Sequence, residues 1–265
     1  MTDLAQQAVA VLETADPAAK AARARAVAAA WRRGEIAKVG SAAPPARPAR
    51  PERPALKRPG EVRKRKINRG VAGRSALLHA LAHIELNAVD LAADIIARFT
   101  GEELPRAFYD DWLTVAEEEG KHYLLLAERL GELGMAYGDL PAHDGLWQAA
   151  EETAHDLLAR LAVVPLVLEA RGLDVTPAMI AKLQAVEDHD SATVLEVIYA
   201  EEIGHVAIGK RWFDHLCAVR DLAPRETWQA LVRRHFRGQL KPPFNEAARD
   251  QADLPADFYA TLAAD

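Results

Sequence analysis

Residues 116–130 read AEEEGKHYLLLAERL, and residues 200–213 read AEEIGHVAIGKRWF. Each stretch contains the pattern Glu-x-x-His, once as Glu119 and His122 and once as Glu202 and His205. In a helix, residues three apart lie on the same face, with Cβ atoms about 5–6 Å apart. A carboxylate and an imidazole placed in this way can bind the same metal ion. Each stretch is therefore a candidate half of a metal site.

The composition around these stretches predicts long helices. Alanine and leucine, which are strong helix formers, dominate the sequence, and aromatic residues make up only 6% of it. The residue pattern predicts four long helices joined by modest loops, at about 75–98, 105 to 131 or 134, 144–171 and 191–219. Gly172 is the expected cap at the end of the third helix, and a further helix is expected to start at Thr176-Pro177. The predicted fold is all-α, an antiparallel four-helix bundle with extra N-terminal and C-terminal helices.

The two helices without the Glu-x-x-His pattern each contain a single glutamate in an apolar stretch. Glu85 lies in HIELNAVDL, and Glu169 lies in VPLVLEARGLD. A carboxylate in such a stretch is costly to bury unless it is paired, protonated or bound to a metal. Glu85 precedes Glu119 by 34 residues, and Glu169 precedes Glu202 by 33. Two helical hairpins that share a two-metal site require such a repeat. The six candidate ligands are Glu85, Glu119, His122, Glu169, Glu202 and His205.

A third Glu-x-x-His pattern, Glu152 to His155, competes with this assignment. It lies 14 to 17 residues before Glu169 on the same predicted helix. At 1.5 Å per residue that is about 21–25 Å along the axis, too far for a shared site. We therefore interpret Glu152 and His155 as a surface or helix-end pair. The charges of the chosen set also balance, because four carboxylates match two divalent cations.

Charge divides the chain into segments. The whole chain has a net charge of −6, yet residues 41–74 alone carry eleven Lys or Arg and two Glu. We expect an N-terminal helical segment (1–40), a basic proline-rich linker (41–74), the metal-binding bundle (75–220) and a C-terminal segment that wraps around it (221–265). The linker could contact nucleic acid or another acidic surface. The favoured interpretation is a solvated arm that lies on the acidic body of the protein.

Cysteine content and hydrophobicity indicate where in the cell the protein is expected. Cys217 is the only cysteine, so no disulfide can form within the chain, and a thiolate zinc site is not expected. No uninterrupted run of about 18 apolar residues indicates a transmembrane helix, and the N-terminus does not have the pattern of a signal peptide. A cytoplasmic protein without membrane contact is therefore expected.

The pattern E…ExxH…E…ExxH resembles the ferritin-like superfamily of di-iron carboxylate proteins. Within it, the chain looks like the branch called domain of unknown function 455. This resemblance covers roughly residues 70–260 and implies the same six ligands, position by position. It rests on the motif-bearing stretches HALAHIELNAVDLAAD (79–94), AEEEGKHYLLLAERL (116–130), VPLVLEARGLDVTP (164–177), AEEIGHVAIGKRWF (200–213) and LKPPFNEAARDQADLP (240–255).

The expected function is that of a di-iron or mixed iron–manganese oxidoreductase that activates O2 or peroxide. Two metal ions are the expected cofactors, with iron first and manganese as the alternative, since carboxylates and imidazoles suit both. The expected partners are O2 or peroxide and a small substrate, with a homo-oligomer left open and nucleic acid not expected. Two alternatives remain. One is an iron-handling protein without an organic substrate, and the other is a partner-binding module in which the metals only stabilise the fold.

Overall fold

The computed structural model describes residues 3–57, 61, 67 and 70–263, and this part of the chain is mostly helical. No helix among these residues is long and apolar enough to cross a membrane. In chain order the elements are α1 (Leu4–Leu12), α2 (Pro17–Arg32), β1 (Leu56–Lys57), α3 (Val71–Arg98), α4 (Arg106–Glu132), β2 (Ala142–His143), α5 (Gly145–Glu152), α6 (Leu157–Val163), a π-helical segment (Val164–Glu169), α7 (Ala170–Ala185), α8 (His189–Val219), α9 (Pro224–His235), α10 (Glu246–Gln251) and α11 (Ala256–Ala263).

Four long helical segments pack together at the centre. Helix α3 packs along α4, α7 packs along α8, and α8 also contacts α4 and the π-helical segment. Helices α1 and α2 cover the outer side of α3 and α4, so that α3 is buried on nearly all sides. We call α3, α4, the π-helical segment with α7, and α8 the helical core. The predicted all-α class is confirmed at this level.

The prediction of one continuous helix over residues 144–171 is wrong. Helix α5 ends at Glu152, and α6 begins after Asp156, whose side chain accepts a hydrogen bond from the N–H of Leu158. The predicted cap at Gly172 and the predicted restart at Pro177 are also wrong, because both residues lie inside α7. Helix α7 packs along α8 and buries Leu173, and this packing outweighs the hydrogen bond that proline removes.

Other helix boundaries differ by a few residues from the predicted ones. Helix α3 begins at Val71, so residues 71–74 belong to it and not to the predicted linker. Helix α8 begins at His189, two residues earlier than predicted, because the side chain of Asp188 caps it by accepting a hydrogen bond from the N–H of Ser191. Helix α2 begins at Pro17 within the predicted N-terminal helical segment, and the side chain of Asp16 caps it by accepting a hydrogen bond from the N–H of Ala19.

Residues 41–57, which we call the proline-rich arm, lie against the protein. Arg47 forms ion pairs with Asp144 and Glu151. The N–H of Ala49 donates to the carbonyl of Leu12, and β1 pairs in parallel with β2. The expected contact between basic residues of the arm and acidic residues of the body is therefore present in this range. Within the predicted basic linker, residues 58–60, 62–66 and 68–69 lie outside the described residues.

Residues 221–263 lie against α6, α7 and α8. The indole N–H of Trp228 on α9 donates to the carbonyl of Ala162. The amide of Asn245 donates to the carbonyl of Leu173 and to the hydroxyl of Tyr199. These contacts place residues 236–249 beside α7.

Candidate metal centre

Each of the four core segments supplies part of one polar cluster. Helix α3 supplies Glu85, α4 and α8 supply the two Glu-x-x-His patterns, and the π-helical segment ends at Glu169. The side chains of Glu119, His122 and His205 are fully buried, and Glu85 is 5% exposed. Glu169 is half-buried as a residue, but its Oε2 atom is buried.

The π-helical segment brings Glu169 to the site because of a close contact with α8. A Cβ atom at Gly209 of α8 would lie only 2.3 Å from the Cβ of Pro165, so only glycine allows this approach. Pro165 lacks a backbone N–H and disturbs the regular α-helical hydrogen bonding around it. Wider π turns of this kind occur frequently at functional sites.

His122 lies among three carboxylates. Its Nδ1 atom is 3.3 Å from Oε2 of Glu85, 3.5 Å from Oε2 of Glu119 and 3.8 Å from Oε1 of Glu202. One ligand atom from each of these four residues lies within 4.8 Å of the others. These four side chains could therefore hold the same ion.

His205 occupies the related position next to the same two glutamates. Its Nδ1 atom is 3.0 Å from Oε1 of Glu119 and 3.5 Å from Oε1 of Glu202. The two imidazole rings are 5.6 Å apart between centroids. Glu119 thus faces His122 with one oxygen and His205 with the other, an arrangement suited to a carboxylate that bridges two ions.

Two further glutamates, which we did not predict as part of the site, hold the histidines from outside. Glu201 lies 2.8 Å from Nε2 of His122, and Glu118 lies 2.8 Å from Nε2 of His205. A carboxylate can only accept, so each Nε2 carries its hydrogen and each Nδ1 is directed at the inner carboxylates. The signal for these residues was present in the sequence, since a second glutamate directly precedes the glutamate of each motif.

Several buried polar atoms at the centre form no well-aligned hydrogen bond with any residue that the structure describes, although groups of opposite charge lie close to some of them. They are Oε1 and Oε2 of Glu119, Nδ1 of His122, Oε2 of Glu169 and Nδ1 of His205. Buried polar groups in proteins are nearly always satisfied, because an unsatisfied one costs about 1–3 kcal/mol. All five atoms are ones that coordinate iron, manganese or zinc, so the residues present fit a metal site.

The pKa values of the inner carboxylates reflect their crowding. Burial, with repulsion from Glu119, raises the pKa of Glu85 well above its usual value. Burial, with repulsion from Glu202 and Glu119, does the same for Glu169. Burial and repulsion from Glu119 raise the pKa of Glu202. Burial alone would also raise the pKa of Glu119, but its contacts with His122 and His205 outweigh this and hold the pKa well below its usual range.

The pKa values of the two histidines are also raised, because they lie next to these carboxylates. Burial alone would lower the pKa of His122, but its contacts with Glu119 and Glu85 raise it well above the usual value. The pKa of His205 is raised in the same way, with Glu202 as the main source of attraction. Positive charge is thus favoured among these carboxylates, and bound cations would supply it in place of protons.

A cavity of about 170 Å³ adjoins the cluster. The four inner glutamates line it, and most of the remaining lining is apolar. Glu169 therefore faces the same space as the three carboxylates around His122. All six predicted ligands lie at this centre, five in direct contact and Glu169 through the shared cavity.

Other polar residues near the motifs have contacts elsewhere. His83 bonds through its two ring nitrogens to the hydroxyl of Tyr137 and the carbonyl of His143. The Glu152 carboxylate pairs with Arg237, and the His155 ring lies beside the ring of His235. The rejected third motif is thus engaged with the C-terminal segment.

Residues 13–260 match the family described as "Protein of unknown function (DUF455)". The chain belongs to this family. A protein of Haemophilus influenzae described as an "Uncharacterized protein" is 44% identical to it over 185 residues. The matched region is 68% of this chain and 64% of that protein, so the chain spans less than two thirds of the relative's length. No solved structure matches the DUF455 chain.

Proposed function

We propose that this chain is a ferritin-like two-metal carboxylate protein. In this proposal six side chains hold two ions in the helical core, namely Glu85, Glu119, His122, Glu169, Glu202 and His205. The observation that carries the proposal is the set of buried, unpartnered ligand atoms on Glu119, His122, Glu169 and His205. The repeated order of a lone glutamate followed by Glu-x-x-His supports it, because carboxylate proteins of this class use that order.

Iron is the proposed metal, with manganese as the alternative. The ligands are carboxylate oxygens and imidazole nitrogens, and these suit both metals. Four carboxylates neutralise two divalent cations. Cys217 is buried on α8 twelve residues beyond His205, and burial raises its pKa to about 11, so a thiolate ligand is not part of the proposal.

The proposed activity is an oxidoreductase reaction with O2 or a peroxide. Two reduced metal ions would supply the electrons for that reaction. The chain's own residues have separate tasks: Glu201 and Glu118 hold the two histidines in one tautomer, and the apolar lining of the cavity limits the access of water. Glu119 connects the two halves of the site.

Metal analysis of the full chain, purified without oxygen, tests the proposal. We expect about two iron or manganese ions per chain and a transient optical absorption after addition of O2 or peroxide. The double variant Glu119→Ala/Glu202→Ala should bind neither ion. The matched control is Glu128→Ala/Glu196→Ala, which changes residues on the same two helices away from the six ligands.

Each result is decisive for a different part of the proposal. Retention of both metals in the Glu119→Ala/Glu202→Ala variant would contradict the ligand assignment. Two bound metals that do not react with O2 or peroxide would contradict the oxidoreductase and favour a structural role. Oxidation of added ferrous ion that requires no organic substrate would instead favour an iron-handling protein.

A further inference from the structure

Two cavities adjoin each other beside the metal-binding cluster. The inner chamber, about 170 Å³, touches the four inner glutamates. The outer chamber, about 220 Å³, lies between α7 and residues 236–249 of the C-terminal segment. Ile84, Leu146, Leu168 and Arg171 line both chambers. The two cavities are therefore adjacent, and these four side chains form the boundary between the C-terminal segment's cavity and the one that touches the carboxylates.

The inner chamber suits an apolar group. Apart from the glutamates, its lining consists largely of aliphatic side chains from α3, α7 and α8, such as Leu81, Val175, Met179 and Leu195. A cavity of about 150 Å³ lined by such residues can hold benzene. The inner chamber is thus large enough for about six to eight carbon atoms.

The outer chamber carries excess positive charge. Arg249 is bound to Asp174 by two hydrogen bonds of 2.8 and 2.7 Å, so these two charges neutralise each other. Arg171 is 41% exposed, donates to the carbonyl of Lys241 and approaches Asp174 only at 3.4 Å. Lys241 is exposed and forms no ion pair with any residue that the structure describes. An anionic group would find two cationic side chains here.

We propose that the two chambers bind an amphipathic monoanion, such as a straight-chain carboxylic acid of about eight carbons. Its head group lies at Arg171 and Lys241, and its apolar chain passes between the side chains that line both chambers and enters the inner chamber. The orientation follows from the lining, because the two cationic side chains lie in the outer chamber and the inner chamber is lined largely by aliphatic groups. This binding site deepens the proposed function. It rests on that function in one respect only, which is that the buried end of the ligand's apolar chain lies near the metals.

Calorimetric titration of the metal-loaded full chain with octanoate tests the binding site. We expect octanoate to bind more tightly than butanoate, because the longer chain fills the inner chamber. Lys241→Gln should weaken octanoate about tenfold and leave octan-1-ol unchanged, whereas Lys182→Gln, an exposed lysine on α7, should change neither. Val175→Phe, which fills part of the inner chamber, should weaken both ligands.

The position of the ligand's apolar end is tested separately. Crystals soaked with 8-bromooctanoate should show the anomalous signal of bromine beside Glu169 and Glu202. Bromine beside Lys241 would overturn the proposed orientation, and equal binding of octanoate by the wild type and by Lys241→Gln would overturn the head-group site. Metal content is measured in every sample. Normal metal binding without octanoate binding would defeat this inference alone, whereas loss of the metals would defeat the proposed function.

Discussion

Glu201 on α8 accepts a hydrogen bond from Nε2 of His122 on α4, at 2.8 Å. The same relationship exists in reverse, since Glu118 on α4 accepts from Nε2 of His205 on α8 at the same distance. Each helix therefore holds the histidine of the other. The two bonds join α4 to α8 and direct both Nδ1 atoms at the inner carboxylates. A carboxylate that holds a histidine in this way also makes the ring a stronger metal ligand.

Removal of either outer carboxylate should weaken metal binding without abolishing it. We expect Glu201→Ala and Glu118→Ala each to lower metal affinity about 10- to 100-fold, because the histidine loses its fixed orientation. Competition with a metal-binding dye measures the change. Glu196→Ala on α8 removes an exposed carboxylate and should have no effect. An unchanged affinity in both outer variants would show that they do not position the ligands.

The candidate site was largely predictable because its ligands follow local rules. Each Glu-x-x-His pattern lies within one helix, so the spacing of Glu119 and His122 already placed them on one face. The outer glutamates are different, because their partners are on another helix. Glu201 is adjacent to a ligand in sequence, but only the packing of α4 against α8 shows which histidine it contacts.

The fold was predicted less well where packing overrides local preference. Gly172 and Pro177 both favour a helix end, yet α7 continues through them. The π-helical segment was also missed, because it depends on contact between Pro165 and Gly209, residues 44 positions apart. Burial of α7 against α8 is a tertiary effect that no pattern within residues 170–185 reveals.

Glu169→Gln should stabilise the metal-free protein at neutral pH while it impairs metal binding. The pKa of Glu169 is raised in the folded state, so its contribution to stability is present below the unfolded pKa of about 4.3 and is lost as pH rises through the folded pKa. Each pKa unit of that shift costs about 1.4 kcal/mol once the group is ionised. Glutamine cannot ionise and avoids this cost.

Urea unfolding of both metal-free proteins from pH 4 to pH 8 measures this effect of Glu169→Gln. The variant's advantage should grow as pH rises and almost vanish near pH 4. Glu128→Gln, at an exposed position on α4, serves as the control and should follow the wild type at every pH. A variant less stable than the wild type at pH 8 would contradict the prediction.

Gly209→Ala should destabilise the protein and disturb the site. The added methyl group would lie 2.3 Å from the Cβ of Pro165, so α8 and the π-helical segment must move apart. Overpacking of this kind costs about 1–3 kcal/mol, and the movement displaces Glu169 from the ligands on α8. Thermal unfolding and metal titration measure the two effects.

Gly204→Ala provides a matched control on the same helix. Apart from the adjacent residues and the backbone of α8 itself, no heavy atom that the structure describes lies within 4 Å of the position that a Cβ would take at Gly204. Alanine is a better helix former than glycine, so this variant should gain about 0.5–1 kcal/mol and bind metal normally. Equal stability of the Gly204→Ala and Gly209→Ala variants would show that the contact with Pro165 has no structural role.

A buried ion-pair group attaches α2 and the proline-rich arm to α3. Asp90 of α3 is fully buried and binds both Lys20 of α2 and Arg50 of the arm, the latter at 2.9 Å. Lys20 also donates to the carbonyl of Ala49 at 3.0 Å. Burial lowers the pKa of Lys20, although the neighbouring Asp90 opposes that change.

Asp90→Asn should therefore cost about 3–5 kcal/mol, the usual penalty for leaving buried charges without a partner. The loss should be local as well as global, because the arm depends on Asp90 for its attachment. Hydrogen exchange checks this, since the N–H of Ala49, which donates to Leu12, should lose protection before the amides of α4 do.

Asp190→Asn is the control, because the Asp190 side chain is 82% exposed and lies 3.5 Å from Arg129. Its unfolding free energy should change by less than about 0.5 kcal/mol. Unchanged exchange at Ala49 in Asp90→Asn would mean that the arm is held by its other contacts, such as the pairing of β1 with β2.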